Sequence, residues 1–156
     1  NLELAGNGTG GVTISGFTFP TTDGSNGQFI KTDGLGNLSF ASAGATLDHS
    51  DLADATTTVA TSTTSTLNQF DKTVYRSAKY FISIKDATNS RFEIVEANVT
   101  HDGSDAYVTT FGSTSNYTGG LCVFTADVSG NNVRLRVTNI SDASTVFKFQ
   151  RIAVDV

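Results

Sequence analysis

The chain lacks several residues that mark other protein classes. Its 156 residues include no methionine, no tryptophan, one proline and one cysteine. Because a disulfide needs two thiols, the lone Cys122 excludes an intrachain disulfide framework. Its neighbours in Leu121–Phe124 are apolar, so we expect a buried structural thiol. Helix-forming residues are scattered, whereas threonine and aromatic residues favour strands, and the composition therefore predicts an all-β protein.

Positive charge and long apolar runs are also scarce. The chain has 10 Lys and Arg against 15 Asp and Glu, for a net charge of −5. Because the basic residues are dispersed, they form no electrostatic footprint for nucleic acid, and we expect no nucleic-acid partner. No apolar run approaches the roughly 20 residues of a membrane span, so we expect no membrane insertion. The start at Asn1, without methionine, predicts a processed product or part of a longer protein.

Motifs of known catalytic chemistry are absent as well. The sequence has no Gly-x-Ser-x-Gly, His-Glu-x-x-His, phosphate-loop or dinucleotide motif. Its two histidines, His49 and His101, have no nucleophile or carboxylate at motif spacing. We therefore predict no catalytic residue, no cofactor and no metal. Calcium binding by Asp23, Asp33 or the 101–105 cluster is an alternative, although an aspartate before glycine is also what a tight turn selects.

What the sequence does contain is a turn cassette that occurs twice in succession, in Thr22–Ile30 and Thr32–Phe40. Each copy is a glycine-rich corner followed by a very short apolar strand. Such strands are too small to be buried within one chain, but three chains wound around an axis could bury them together. We therefore predict a homotrimer. Its core residues would be Val12, Ile14, Phe17, Phe19, Phe29, Ile30, Leu38 and Phe40.

The rest of the chain changes character twice. Residues 41–58 are small and weakly apolar and predict a connector with at most a short helix or an extended crossover. From residue 59 onward, strands alternate with turn signals at the spacing of a β-sandwich or jelly roll. We thus predict a β-rung stem in 1–40, a connector in 41–58 and a β-sandwich head in 59–156. An opening strand is expected in Val59–Leu67, and the later strands in Ala78–Ile84, Phe92–Thr100, Ala106–Phe111, Leu121–Val128, Asn132–Ile140 and Thr145–Val154.

Two groups in the predicted head are candidates for ligand contacts. Asp105, Tyr107, Asn116 and Tyr117 lie in or near loops and predict a sugar-stacking patch, because aromatic rings with amide and carboxylate partners suit carbohydrates. The alternative for Tyr107 is a half-buried strand residue. Arg134 and Arg136 share a strand face. They predict either an anion contact or, more simply, a solvated face paired with nearby carboxylates.

Particular passages resemble a known class of proteins. Gly16–Pro20 followed by Asp23–Phe40 resembles a segment common in tail fibres and other virion structural proteins of bacteriophages, particularly marine and cyanobacterial ones. The carboxy-terminal part is similar to a β-sandwich module of the same phage proteins. The passages that carry this second resemblance are Phe70–Asp71, Tyr75–Tyr80, His101–Gly103, Ala106–Tyr107 and Ala126–Leu135.

The resemblance implies a homotrimeric virion appendage with a narrow intertwined stem and a globular sandwich. Its implied partners are other virion proteins and a polysaccharide or protein of the host surface. Modules of this class are not enzymes as a rule, so the resemblance implies no enzymatic activity. The expected function is a tail or neck fibre segment for host adhesion or assembly. A purely architectural capsid-surface or tail-scaffold protein and a polysaccharide-degrading fibre are the alternatives.

Overall fold

The computed structural model describes residues 11–42 and 47–155, and these residues form strands and turns without a helix. The prediction of an all-β protein is therefore confirmed. It follows that the described part of the chain has no helix able to span a membrane. The strands are β1 Thr13–Ile14, β2 Phe17–Thr18, β3 Gln28–Thr32, β4 Leu38–Ser42, β5 Ser50–Val59, β6 Thr64–Asp71, β7 Tyr75–Asp86, β8 Arg91–His101, β9 Ala106–Ser115, β10 Cys122–Ser129, β11 Asn132–Asn139 and β12 Thr145–Asp155.

The chain divides into two compact units, 1–46 and 47–156. In the first unit, β1 pairs with β2 and β3 pairs with β4, in both cases antiparallel. Ser15 and Gly16 link β1 to β2 with φ angles of 51° and 85°, a turn that glycine favours because it has no Cβ. The amide of Thr18 donates to the carbonyl oxygen of Gly36 at 2.8 Å, which joins the two hairpins.

The second unit consists of two antiparallel sheets. The larger has the strand order β5-β12-β7-β8-β9, and the smaller has the order β10-β11-β6. Apolar and polar residues alternate along β7, β11 and β12, so that every second side chain is buried. The predicted alternation of Val133, Leu135 and Val137 with arginines is confirmed, since all three apolar residues are fully buried.

Both sheets of the second unit contribute to one hydrophobic core. Tyr80 and Phe147 of the larger sheet and Leu135 of the smaller sheet are fully buried members of the same cluster. Burying a side chain of this size contributes about 1.5–3 kcal/mol. The hydroxyl of Tyr80 donates to Oδ1 of Asn68 at 3.0 Å, so the one polar atom of this ring is satisfied across the core. The unit is therefore a two-layer β-structure with five strands facing three.

The structure bears out the later strands and corrects the earlier ones. The six strands predicted between residues 78 and 154 correspond to β7–β12. The predicted connector is wrong over 50–58, because these residues belong to β5, which pairs with β12 along its whole length. The opening strand predicted in 59–67 is broken by a turn in which Ser62 has a φ of 57°. Residues 1–10 of the predicted stem and 43–46 of the predicted connector lie outside the described residues.

Candidate functional site

The apolar residues of the β1–β2 hairpin share one face. Ile14 is the cross-strand partner of Phe17, and the amide of Phe19 donates to the carbonyl oxygen of Val12 at 2.9 Å. Because side chains alternate along a strand, these four residues lie on the same side of the hairpin. Thr13 lies on the other side. The first half of the predicted trimer core is thus a continuous apolar face.

The β3–β4 hairpin has a second apolar face, with one correction to the predicted core. Ile30 is the cross-strand partner of Phe40, and Leu38 lies two residues before Phe40 on the same side. Phe29 precedes Ile30 directly and therefore points to the opposite side, together with Lys31. One face of this hairpin cannot contain both Phe29 and Ile30, as the predicted core requires. We define the stem faces as Val12, Ile14, Phe17 and Phe19 on the first hairpin, and Ile30, Leu38 and Phe40 on the second.

The stem faces are only partly covered, because four of their seven residues are half-buried and Ile14, Phe17 and Ile30 are exposed. None of the residues from 11 to 42 is buried. Phe17 is 46% exposed and Ile30 is 49% exposed, whereas aromatic residues in the core of the second unit are almost inaccessible. These hairpins gain little from apolar burial within one chain, and the burial of their faces by other copies stays a prediction.

The aspartates considered as calcium ligands accept hydrogen bonds within their own turns. Asp33 accepts hydrogen bonds from the side chain of Asn37 at 2.6 Å and from its amide at 3.1 Å, and the side-chain bond in particular lowers the pKa of Asp33. Asp102 accepts hydrogen bonds from the amides of Asp105 at 2.8 Å and Ser104 at 2.9 Å, which lower its pKa. Among the described residues, no three His, Cys, Asp or Glu side chains come together as a metal site would require.

Two candidate ligand contacts, Asp105 and Tyr107, lie at the start of β9. Tyr107 lies in β9, as the alternative of a strand residue expected, and it is 54% exposed. Its hydroxyl donates to Oδ2 of Asp102 at 3.0 Å, and this bond raises the pKa of Tyr107. The Asp105 side chain is exposed beside it. This end of β9 presents a ring with its hydroxyl already engaged.

The other two candidates, Asn116 and Tyr117, follow the end of β9. Oδ1 of Asn116 accepts a hydrogen bond from the amide of Phe92 at 2.7 Å, and its Nδ2 donates to the carbonyl oxygen of Ser90 at 3.0 Å. Asn116 therefore fastens its loop to β8. The guanidinium carbon of Arg91 lies 4.0 Å from the centroid of the Tyr117 ring, a close cation–π contact.

The structure does not bring the four candidates together. Residues 108–115 of β9 run between the two pairs. At about 3.3 Å per residue, the strand from Tyr107 to Ser115 spans roughly 26 Å. The prediction of one sugar-stacking patch is therefore wrong, and each pair lies at its own end of the sheet.

The two arginines of β11 are paired with a carboxylate. Arg134 holds Asp127 at two points, with Nε–Oδ1 and Nη2–Oδ2 distances of 2.7 Å, and Nη1 of Arg136 lies 3.3 Å from Oδ2 of the same group. The hydrogen bonds from Arg134 lower the pKa of Asp127. Of the two alternatives for these arginines, the solvated face paired with a carboxylate is the correct one.

A buried carboxylate lies at the end of the larger sheet that carries Tyr117. Asp86 is fully buried and accepts hydrogen bonds from Nδ2 of Asn89 at 2.8 Å and Oγ of Ser141 at 2.6 Å. These bonds lower the pKa of Asp86 to about 2. Arg91 pairs with Asp142 at 2.8 Å. The cluster joins the β7–β8 turn to the β11–β12 turn. It also fixes Arg91, whose guanidinium contacts the Tyr117 ring.

Sequence reasoning missed an apolar surface, which we call the outer face. It consists of the side chains of the five-stranded sheet that alternate with the core residues and point away from them. Leu52, Phe81 and Ile152 line a shallow groove of about 540 Å³ on this face. Nζ of Lys79 lies 2.6 Å from Oε2 of Glu96 within it. The sequence does indicate this surface, because β7 and β12 contain large apolar residues at the alternate positions where solvent-exposed polar residues are expected.

Comparison with solved structures finds phage tail proteins. The tailspike protein of Acinetobacter baumannii phage AM24 is 12% identical, with a TM-score of 0.45 over 69% of this chain and 26% of that one. Tailspike protein gp49 of A. baumannii bacteriophage Fri1, described as a capsular polysaccharide depolymerase, is 17% identical, with a TM-score of 0.35 over 68% of this chain and 18% of that one. The tailspike of Acinetobacter phage vB_ApiP_P1 is 17% identical, with a TM-score of 0.37 over 85% and 25%.

These likenesses are distant and partial. The chain spans about a quarter or less of the length of these tailspikes. No protein-family model matches the sequence, and no curated protein matches it. The neighbours are phage tail proteins, which agrees with the resemblance to phage tail fibres. The resemblance to marine and cyanobacterial phages in particular stays a prediction.

One expectation about activity needs correction. The resemblance implied that proteins of this class are not enzymes as a rule. The Fri1 tailspike is described as a depolymerase, which is an enzyme. The expectation of a non-enzymatic chain, which rested on this class, is therefore wrong.

Proposed function

We propose that this chain is a segment of a phage tail appendage. In this proposal, residues 11–42 join three copies into a stem, and residues 47–155 supply a head for attachment to the host surface. The observation that carries the proposal is the exposure of the stem faces. Ile14, Phe17 and Ile30 are each more than 40% exposed in a segment that contains no buried residue. Apolar faces of this kind are typical of an interface.

A matched pair of variants tests the stem. Phe19 lies on the first stem face, whereas Thr13 lies on the opposite side of the same hairpin. Phe19→Asp should prevent assembly, because three unpaired carboxylates would be buried together. Thr13→Asp adds the same charge to the exposed side and should leave assembly intact. Light scattering after size-exclusion chromatography reads the mass of each particle. A trimer of Phe19→Asp would refute the shared core.

Host attachment is the role that we assign to the head. Three copies on one particle raise the effective concentration of weak sites, so avid binding requires no deep pocket in any one head. Fluorescently labelled particles should decorate host cells. Particles that assemble with other virion proteins but ignore host cells would instead indicate a scaffold. Loss of viscosity in a capsule preparation would indicate polysaccharide degradation.

A further inference from the structure

The outer face exposes an unusual amount of apolar surface. Its large apolar residues are each between 39% and 55% exposed. Single exposed residues of this kind are ordinary, but a group of them on one sheet face marks an interaction surface. The residues are Leu52, Phe81, Phe92, Tyr107, Phe111, Ile152 and Val154.

Strand register makes part of this surface continuous. Leu52 of β5 is the cross-strand partner of Ile152 in β12. In the neighbouring row, Phe81 and Phe111 lie on either side of Glu96, their common partner in β8. Cross-strand partners have Cβ atoms about 4.5–5.5 Å apart, so these side chains contact their neighbours. Along these rows the apolar residues are interrupted by Lys79, the partner of Ile152, and by Glu96, which pairs with Lys79.

The charges on the outer face are nearly balanced. They belong to three lysines and two carboxylates, and Lys79 and Glu96 neutralise each other at 2.6 Å. Lys79 also lies over the Phe111 ring, 5.5 Å from its centroid. The whole chain, by contrast, carries a net charge of −5. The outer face itself carries no excess of negative charge, so the net charge of the chain does not disfavour contact between two copies there.

The size of the outer face suits a stable protein interface. Its five strands have ten to twelve residues each. At about 4.8 Å between strands and about 3.3 Å per residue, the face measures roughly 24 Å by 33 Å, or about 800 Å². A standard interface buries about 800 Å² on each partner. The outer face is therefore comparable in size with one side of a standard interface, although two neighbours around a three-fold axis would share it.

The side chains favour a protein occupant over a polysaccharide. The outer face combines aliphatic Leu52, Ile152 and Val154 with the phenyl rings of Phe81 and Phe111. Phenylalanine and aliphatic side chains have no polar atom for sugar hydroxyls, and the hydroxyl of Tyr107 is already bonded to Asp102. Apolar residues around an internally paired charge are instead typical of the buried centre of a protein interface.

We infer that the outer face is a second interface between copies of this chain, separate from the stem faces. Turned toward a three-fold axis, the outer face of each copy contacts both neighbours. The inference rests on the proposed function for the presence of those neighbours. Its residues all lie between 50 and 154, so it is tested independently of the stem.

Thiol accessibility in the full chain tests this interface. Burial raises the pKa of the Cys122 thiol to about 12, and Cys122→Ala removes it as background. In that variant, Ser83→Cys places a thiol at an exposed position of the outer face, and Thr125→Cys places one at an exposed position on the smaller sheet. Gln150→Cys is a second probe of the outer face, in case the first does not fold. The rate of maleimide labelling is then measured in the assembled particle.

The expected result is labelling of both outer-face thiols at least about tenfold slower than Thr125→Cys. Equal labelling rates for the outer-face thiols and Thr125→Cys in a trimer would overturn the second interface and leave the stem proposal intact. The outer face would then be accessible to another partner such as a polysaccharide. A monomer would overturn both proposals. A Phe19→Asp particle that stays trimeric with protected outer-face thiols would support the outer face and refute the stem.

Discussion

Ile14 lies directly opposite Phe17 in the β1–β2 hairpin, and both side chains point to one face, where they are 42% and 46% exposed. Two strands of two residues each provide few backbone hydrogen bonds and no interior of their own. Keeping apolar pairs of this kind in water is unfavourable, at about 25 cal/mol for each Å² left uncovered. The stem is therefore the part of the chain whose stability depends most on other copies.

The second hairpin predicts a difference between two adjacent residues. Ile30→Asp should weaken assembly roughly 100-fold or more, because burying an unpaired carboxylate costs several kcal/mol. Phe29→Asp should weaken it much less, because Phe29 shares its side of the hairpin with Lys31. Sedimentation velocity over a range of concentrations measures both. The reverse order of effects would mean that the other side of β3 faces the axis.

A buried amide predicts a large loss of stability in the head. Asn139 is fully buried, and its Nδ2 donates to the carbonyl oxygens of Val59 at 3.0 Å and Ala143 at 2.8 Å. Its Oδ1 accepts a hydrogen bond from the amide of Ser141 at 2.9 Å. Asn139→Ala leaves these groups without partners and should lower the free energy of unfolding by about 3 kcal/mol. Chemical denaturation measures the change, with the exposed Asn131→Ala as control; equal losses would refute this role.

Asp86 predicts how stability changes in acid. Hydrogen bonds from Asn89 and Ser141 lower its pKa in the folded chain to about 2 from an ordinary value of 3.8. A lowered pKa stabilises the fold above the ordinary value, and this contribution is lost as the pH falls toward the folded-state value. The difference in free energy of unfolding between the natural chain and Asp86→Asn should therefore be largest above pH 4 and shrink toward pH 2. Asp105→Asn controls for the loss of one exposed charge. A difference that does not depend on pH between 2 and 4 would argue against this assignment.

The sequence predicts strands well where one face is buried and poorly at the sheet edge. β11 alternates Val133, Leu135 and Val137 with polar residues, so period and burial agree. β5 is an edge strand of Ala, Thr and Asp residues whose position depends on pairing with β12, far away in the sequence. Its own residues provide no strong apolar alternation, and they resemble a connector for that reason.

The candidate ligand patch fails for a related reason. Asp105 and Asn116 are eleven residues apart in sequence, which suggests proximity if the strand between them is short. The predicted strand ends at Phe111, whereas β9 continues to Ser115 beyond a bulge opposite β8. The polar residues after Phe111 contain no strand signal of their own. They extend the strand because they pair with β8, which the local sequence does not predict.

The native mass of the unmodified chain tests the central claim most directly. Mass spectrometry under native conditions should find a particle of three chains, each of 16.4 kDa. That result is expected if the stem faces are buried by identical neighbours. A particle with the mass of one chain at every concentration, whose residues 11–42 nevertheless resist hydrogen exchange, would contradict the account.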